Sequence, residues 1–280
     1  MEILINKDSK VVVKMEGGLG AQILSAGIYL YMKYVINCDV YLDSIYFTYH
    51  KQHKRPVNNV NGLTLWPYQL DEFDLPLSFF ASFEDYENIN NYIVFGDDHA
   101  DGTNVILKAF QNKSIKNKFF NLDIQNKIKT IFPGSDYACL HIRQGDYLNV
   151  ASHLIDNLDI IDVCKSISNA TNNLYIISDE EIPAGIINIL SKKFININSG
   201  IGGDPVFSHF IMRNAKYLVI ANSQYSLSAA LLNDVYEQIY VPIKWVGDKT
   251  DPRIQLKIDN MIKKMCRYSV RFNPSMQTIK

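Results

Sequence analysis

The residues His141-Ile142-Arg143-Gln144-Gly145-Asp146-Tyr147 directly follow a short apolar run at 137–140. Such a run is typical of a buried parallel strand, so the charged side chains stand where the strand ends and a loop begins. In open α/β sheets this edge is where ligands bind. An imidazole, a guanidinium and a carboxylate, with a glycine that lets the backbone approach a ligand closely, suit a pyrophosphate or a sugar leaving group. The alternative is a strand end at which Arg143 and Asp146 simply pair with each other.

Apolar runs and amphipathic segments alternate from residue 137 to residue 232. Asp204 and Pro205 are predicted to be the N-cap and first residue of one of the helices. Strands alternating with helices of this length imply a parallel sheet covered on both faces, which is a Rossmann-like nucleotide domain. The predicted strands are 137–142, 174–178, 194–197 and 217–221, and the predicted helices are 156–169, 182–192, 205–214 and 225–232.

A strand, a glycine turn and a helix are also predicted near the N-terminus. The β-branched run 11–13 leads into Gly17-Gly18-Leu19-Gly20-Ala21-Gln22, and the apolar residues of 22–34 fit one helical face. This arrangement places backbone N–H groups where an anion can bind. A tight turn that only packs the helix on the strand is the alternative, and the GxGxxG spacing of dinucleotide sites is absent. Further strands are predicted at 39–43 and 105–107, and a helix at 121–132.

Residues 44–102 mix aromatic and polar residues without a clear period. An irregular segment of this length favours functional structure, and its aromatics beside Asn, Asp and His would suit a sugar; the alternative is that they form this half's core. Within the segment, Gly96-Asp97-Asp98-His99-Ala100-Asp101 offers carboxylates that Mg²⁺ or Mn²⁺ could bind. The same residue types are common in solvated turns, so we predict no metal site.

Composition restricts the classes of function. The chain has 280 residues, 47% of them hydrophobic, and a formal net charge of −1, so nothing indicates a nucleic-acid partner. The N-terminus is too short and too charged for a signal peptide, and no run approaches the roughly 20 apolar residues of a membrane span. Reduced thiols of a cytoplasmic protein are expected, because the cysteines are far apart without metal-ligand spacing: Cys38, Cys139, Cys164 and Cys266.

Four segments, in this order along the chain, resemble motifs of the α-1,2-fucosyltransferases of glycosyltransferase family 11 and of relatives that use GDP-fucose. Gly17-Gly18-Leu19-Gly20-Ala21-Gln22 resembles the family's Gly-Gly-Leu-Gly-Asn-Gln opening, and the stretch from His141 to Tyr147 resembles its His-x-Arg-x-Gly-Asp-Tyr signature. Ile177-Ser178-Asp179-Glu180 is similar to Phe-Ser-Asp-Asp, and Ile220-Ala221-Asn222-Ser223-Gln224-Tyr225-Ser226 to the Ala-Asn-Ser-Thr-Phe-Ser element.

The resemblance implies an α/β fold of the GT-B type, with two Rossmann-like lobes, a cleft between them and the more regular lobe at the C-terminus. We predict an acceptor-side lobe at 1–133 and a nucleotide-sugar-binding lobe at 134–253, with Pro133-Gly134 at the boundary. An amphipathic helix within 254–280 is predicted to pack back on the first lobe. A basic segment that binds a membrane surface is the alternative for this tail.

The resemblance also implies an inverting glycosyltransferase, specifically a galactoside 2-α-L-fucosyltransferase. Such an enzyme moves L-fucose from GDP-β-L-fucose to a galactose-type hydroxyl of a glycan, for example a bacterial surface polysaccharide unit. The family is generally metal-independent, so no metal or cofactor is expected. We expect a cytoplasmic location, with peripheral association at the inner face of the cell membrane through the basic tail as the alternative; the oligomeric state is not indicated.

Roles for single residues follow from the same motifs. Arg143 is expected to bind the diphosphate, because a guanidinium stays charged and matches phosphate oxygens with two prongs. Asp179 is expected at the guanine or ribose, with a helix N-cap or surface turn as its alternative. The general base is open among Asp146, Glu16 and His141, and His141 is alternatively a buried residue that orients the loop. The remaining residues expected to contact the donor are Gly17, Gly18, Gly20, Gln22, Asn222, Ser223, Gln224, Tyr225 and Ser226.

The sequence departs from the family pattern at several positions. Ala21 replaces an Asn, Gln144 replaces a common second Arg, and Gln224 replaces a Thr. Two alternatives therefore remain open. One is a transferase of the same fold that uses another nucleotide sugar, and the other is a catalytically silent nucleotide-sugar-binding protein.

Overall fold

The structure is a computed structural model that describes residues 5–43, 45–48, 57–58, 64–79, 93–95, 103–132, 136–149, 153–201, 203–245 and 265–272. The chain divides into two compact units, Met1–Asn121 and Leu122–Lys280. Each unit contains a parallel sheet with helices, which confirms the predicted α/β class with two Rossmann-like units. The first unit ends earlier than the predicted boundary at 133, because the helix that follows Asn121 belongs to the second unit.

The first unit is built on a three-stranded parallel sheet in the order β2-β1-β5. Its strands are β1 (Lys10–Lys14), β2 (Asp39–Asp43) and β5 (Ile93–Phe95). Helix α1 (Leu19–Tyr31) follows β1 and continues as a π-helix, Met32–Ile36. The other described elements are α2 (Ile45–Thr48), the antiparallel pair β3 (Val57–Asn58) and β4 (Thr64–Leu65), α3 (Thr103–Gln111) and α4 (Lys113–Lys118).

Helix α1 is the core helix of this unit. Contrary to the expectation from the sequence, one stretch, 19–36, is long and apolar enough to cross a membrane by length and composition alone, but 67% of it is buried inside the unit. Its Gly27 lies against α3 so closely that an added Cβ would be 2.7 Å from the Phe110 ring. The helix and α3 therefore pack in direct contact, and the apolar face found in the sequence covers the sheet.

The strand predicted at 105–107 is wrong, because these residues lie within α3. The buried residues of this helix are Ile106, Ala109 and Phe110, with 0%, 0% and 3% exposure. Their spacing of three and four residues places them on one helical face. A short apolar run cannot be assigned to strand or helix by periodicity alone, and here packing against α1 decides for the helix.

The second unit has a six-stranded parallel sheet in the order β11-β10-β9-β6-β7-β8. Counted along the unit, this is the order 3-2-1-4-5-6 that is typical of Rossmann domains. The strands are β6 (Ala138–Ile142), β7 (Asn173–Ser178), β8 (Asn196–Ile201), β9 (Tyr217–Val219), β10 (Gln238–Pro242) and β11 (Cys266–Tyr268). The helices are α5 (Leu122–Ile131), α6 (Asn157–Ile167), α7 (Ala184–Leu190), α8 (Pro205–Arg213) and α9 (Gln224–Leu232).

The strand order reverses between the central strands β6 and β9. Strand β6 pairs with β7 on one side and with β9 on the other, and the chain then continues outward in opposite directions. At such a switch point the loops that leave the two strands separate and open a crevice at the carboxyl edge of the sheet. The fold therefore brings the loop after β6 next to the loop after β9.

The predicted N-terminus of α8 is confirmed. Asp204 is the N-cap, its carboxylate accepts hydrogen bonds from the N–H groups of Val206 and Phe207, and Pro205 is the first helical residue. An N-cap of this kind stabilises a helix by about 1 kcal/mol. The sequence thus fixes where this crossover helix begins.

The helix predicted within 254–280 lies mostly outside the described residues, and the described part of the tail, 265–272, contains a strand instead. Cys266–Tyr268 is a strand that pairs with β10, in the second unit, while residues 251–264 and 273–280 lie outside the described part. Exposure alternates along 266–271, with Tyr268 buried and Arg267 exposed, which is the period of a strand. The Tyr268 hydroxyl donates to the Ile220 carbonyl at 2.8 Å, so the buried tyrosine joins the tail to the end of β9.

Candidate functional site

Arg143 and Asp179 form an ion pair at the carboxyl edge of the second sheet. Arg143 follows β6 and Asp179 follows β7, and their atoms Nη1 and Oδ2 are 2.7 Å apart. The other carboxylate oxygen, Oδ1, accepts the backbone N–H of Gln144 at 2.8 Å. The two side chains are 14% and 24% exposed, so the pair is mostly shielded yet still reaches solvent. Asp179 therefore holds both the guanidinium and the loop that carries it.

Gly145 lies directly on the Asp179 carboxylate. Its φ of +23° is in the region that disfavours other residues, and an added Cβ would be 2.5 Å from Oδ2 of Asp179. The sequence predicted a glycine for close approach to a ligand, and the close approach is to this carboxylate. Three consecutive residues, 143–145, thus surround one acid.

Tyr147 supports the guanidinium from another side. The Arg143 Cζ atom is 5.3 Å from the centre of the Tyr147 ring, within the range of a cation–π contact. The Tyr147 hydroxyl donates to the Asn222 carbonyl at 3.2 Å. Arg143 is thereby positioned between the loop after β7 and the loop after β9.

The N-terminus of α9 lies beside this loop, because β9 is the neighbour of β6. Ser223 is the N-cap, and its Oγ accepts the N–H of Tyr225 at 3.3 Å. Ser226 is buried and donates its hydroxyl back to the Ala221 carbonyl at 3.3 Å. No acidic residue occupies the first turn of this nine-residue helix. The N–H groups at its start therefore favour an anion.

Asn222 joins the loops that follow β6, β9 and β10. Its Nδ2 donates to the carbonyls of His153 and Trp245, both at 2.8 Å. The residue is 2% exposed. Both amide hydrogens are used within the protein, so this side chain supports the site instead of donating to a ligand.

Two histidines lie buried behind the loops. His141 is 2% exposed and His209 is fully buried, and the Tyr225 ring contacts both, with ring centres 5.5 and 5.6 Å apart. Burial, and then the charge of Arg143, lower the pKa of His141 to about 3. Burial, and then Arg213, hold the pKa of His209 well below its usual range. His141 is thus neutral near pH 7 and a poor proton acceptor, which argues against it as the base and favours the loop-orienting alternative.

The glycine turn of the first unit is formed as the sequence predicted. Gly17 has a φ of +74°, and Gly18 is the N-cap of α1. An added Cβ on Gly18 would be 3.2 Å from the Trp66 ring, so the indole lies over this turn. Gly20 is buried in the first turn of the helix, and Glu16 is partly buried just before it. Trp66 gives the turn an aromatic wall that no pattern in the sequence indicated.

Gln22 has a structural role in the same turn. It is fully buried, and its Nε2 donates to the carbonyls of Gly17 and Pro67, both at 2.9 Å. Its Oε1 accepts the N–H of Gln69 at 2.8 Å. Both amide hydrogens are committed, so Gln22 ties the turn to residues 67–69 and has no hydrogen left for a donor.

Some sequence predictions fall outside the described residues. These include the side chain of Asp146, most of the irregular segment 44–102 that would suit a sugar, and within it the segment 96–101 that was weighed as a metal site. Among the residues that the structure does describe, no group of three or more His, Cys, Asp or Glu side chains is placed to hold a metal ion.

Sequence reasoning missed several residues that build the site, namely Tyr147, His153 and Trp245. Tyr147 stands in the motif and could have been found there. The carbonyls of His153 and Trp245 act through the backbone, which carries no signal in the identity of the residue.

No protein-family model matches the sequence, and no curated protein does. Among solved structures, the chain resembles the fucosyltransferase NodZ from Bradyrhizobium, with 14% identity, a TM-score of 0.40 and coverage of 83% of this chain and 94% of that one. NodZ α-1,6-fucosyltransferase soaked with GDP-fucose matches with 13% identity, a TM-score of 0.41 and the same coverage. POFUT1 in complex with GDP matches with 12% identity and a TM-score of 0.46, over 84% of this chain and 97% of that one. Similarity at this level concerns the fold alone.

Proposed function

We propose that the protein is a glycosyltransferase whose nucleoside-diphosphate sugar binds at the carboxyl edge of the second sheet. The observation that carries the proposal is the position of Arg143 and of the α9 N-terminus. They follow β6 and β9, the two central strands between which the strand order reverses. A fixed guanidinium and a helix N-terminus at a switch point are two independent features that favour a diphosphate.

The chemistry assigns a role to each feature. The acceptor oxygen attacks C1 of the sugar, the bond from C1 to the β-phosphate oxygen breaks, and the nucleoside diphosphate leaves with the bonding electrons. Negative charge grows on the diphosphate, where Arg143 and the N–H groups of α9 stabilise it. Because Asp179 and Tyr147 hold the guanidinium beforehand, little reorganisation accompanies the charge transfer. The acceptor proton passes to a base, for which the sequence motifs offer the carboxylates of Glu16 and Asp146.

For the substrates, we propose GDP-β-L-fucose as donor and a galactose-type hydroxyl as acceptor, with inversion to an α-1,2 linkage. The support is the ordered set of motifs around Gly17, His141, Asp179 and Asn222, which resembles glycosyltransferase family 11. A surface polysaccharide unit as acceptor, metal-independent transfer, and a cytoplasmic or inner-membrane-associated location complete the proposal. All of these rest on the same resemblance.

The experiment that tests the proposal is calorimetric titration with GDP, UDP, dTDP and NAD, first without metal and then with Mg²⁺. GDP should bind selectively. Arg143→Ala should lower the affinity for GDP about 100-fold, because charge-assisted hydrogen bonds contribute about 1.5–3 kcal/mol each. Lys216→Ala is the matched control. This substitution breaks the ion pair between Lys216 and Glu237, whose Nζ and Oε2 atoms are 3.2 Å apart. Lys216 directly precedes β9 and Glu237 directly precedes β10, so the pair lies at the amino edge of the same sheet, opposite the site. Equal GDP affinity in Arg143→Ala and the unaltered protein would refute the assignment.

A catalytically silent sugar-nucleotide binder is the second candidate. The observation that favours it is Gln144, whose side chain replaces a second guanidinium and whose N–H is used by Asp179. Incubation with GDP-fucose and galactose-ended glycans separates the two functions. Fucosylated product supports the transferase, whereas tight GDP binding without release of GDP from GDP-fucose supports the silent binder.

A further inference from the structure

The Asn222 side chain fixes the loops of the site relative to one another. Its single amide nitrogen bonds the carbonyl of His153, in the connection from β6 to α6, and that of Trp245, after β10. Its own position is one residue before the N-cap Ser223 of α9. Three loops of the carboxyl edge therefore meet at one buried side chain.

The backbone of the same residue reaches Arg143. The Asn222 carbonyl accepts the Tyr147 hydroxyl at 3.2 Å, and the Tyr147 ring lies beside the Arg143 guanidinium. A displacement of Asn222 would thus move both the α9 N-terminus and the support of the cation. These are the two features to which the proposed function assigns the diphosphate.

We propose that Asn222 is a positioning residue for the diphosphate, which it never touches. It fixes the distance between the α9 N–H groups and the Arg143 guanidinium, so that both act on the same phosphates. The inference rests on the proposed function, since it names what sets the geometry of that site. It also reassigns Asn222 from the set expected to contact the donor.

The test compares Asn222→Asp with Asn233→Asp. Asn233 is also 2% exposed, and its Nδ2 bonds the carbonyls of Ala215 and Met212 at 2.9 and 3.4 Å. It is the C-cap of α9, at the helix end opposite the site. Each substitution removes N–H donors and turns a carboxylate toward two carbonyl oxygens, so both should lower the midpoint of thermal unfolding.

The readout that separates positioning from stability is the ratio of GDP to GMP affinity, measured by calorimetry at a temperature where both variants are folded. In Asn222→Asp the affinity for GDP should fall about tenfold and the affinity for GMP should fall less, so the ratio of GDP to GMP affinity should decrease. Asn233→Asp should keep the ratio of the unaltered protein. Tyr147→Phe, which removes the hydroxyl and keeps the ring, should lower the ratio in the same direction and serves if Asn222→Asp does not fold.

An unchanged ratio in Asn222→Asp would overturn the inference while the proposed function stands, and so would an equal fall in both asparagine variants. If Asn222→Asp does not fold, an unchanged ratio in Tyr147→Phe overturns it. Absence of GDP binding by the unaltered protein would overturn the proposed function, and the inference with it.

Discussion

Gly145→Ala should weaken nucleotide binding through Asp179, although the new methyl group would touch no ligand. The added Cβ would lie 2.5 Å from Oδ2 of Asp179 and 3.1 Å from its Cγ. Oδ2 is the oxygen that pairs with Arg143 at 2.7 Å. The carboxylate therefore cannot yield to the methyl group without altering its contact with the guanidinium.

The expected loss of stability has two sources. A residue other than glycine costs about 1–2 kcal/mol in the left-handed region, and forcing a methyl group into a packed contact costs typically about 1–3 kcal/mol. Reduced freedom of the unfolded chain offsets up to about 1 kcal/mol. The net decrease in the free energy of unfolding is thus about 1–5 kcal/mol. Displacing one charge-assisted hydrogen bond of Arg143 should lower the affinity for GDP about 10- to 100-fold.

Urea unfolding and calorimetric titration with GDP measure the two effects. Gly203→Ala is the matched control in the same unit, because its added Cβ would meet only Ser208 Oγ at an ordinary 3.8 Å. The control should bind GDP like the unaltered protein. If Gly145→Ala retains full stability and full GDP affinity, the proposed coupling between the loop, Asp179 and Arg143 is refuted.

Two further predictions concern buried polar groups. His141 and His209 have folded-state pKa values below the unfolded value of about 6.5, so the folded state binds fewer protons. Stability should be complete above pH 6.5 and fall as the pH decreases below it. Urea unfolding between pH 6.5 and 5 should show a slope of up to about 1.4 kcal/mol per pH unit for each histidine, smaller in His141→Gln; an identical slope in that variant would contradict the assignment. Gln22→Leu should lower the free energy of unfolding by about 2–4 kcal/mol, because it leaves the buried Pro67 carbonyl and the partly buried Gln69 N–H without their hydrogen bonds. Unchanged thermal unfolding together with lost GDP binding would return Gln22 to the donor-contacting residues.

The sequence was most informative where local chemistry determines structure. Strand 39–43 and the cap at Asp204 were predicted correctly, since short apolar runs and N-cap residues act over a few positions. The alternating half predicted a parallel sheet, and the structure adds strand β10 beside β9 and strand β11 at the edge. Strand β11 depends on pairing with β10, some 25 residues earlier in the chain, which the local pattern of the tail did not reveal.

Several side chains of the candidate site stand in motifs of the sequence, but the contacts between them could not be predicted from the sequence. The ion pair of Arg143 joins it to Asp179, 36 positions further on, where the sequence offered Asp146 as a local partner. Asn222 and Gln22 look like ligand-binding amides in a sequence, but the structure commits their amide hydrogens to backbone carbonyls. Whether a polar side chain faces a ligand or the protein depends on contacts between distant loops, and no spacing rule encodes these.

A crystal structure of the protein with GDP would test the central claim most directly. The diphosphate should lie within hydrogen-bond distance of the Arg143 guanidinium and of the first N–H groups of α9, with Asp179 still holding the loop. GDP bound elsewhere, for example at the glycine turn of residues 17–20 with no contact to Arg143, would contradict the account.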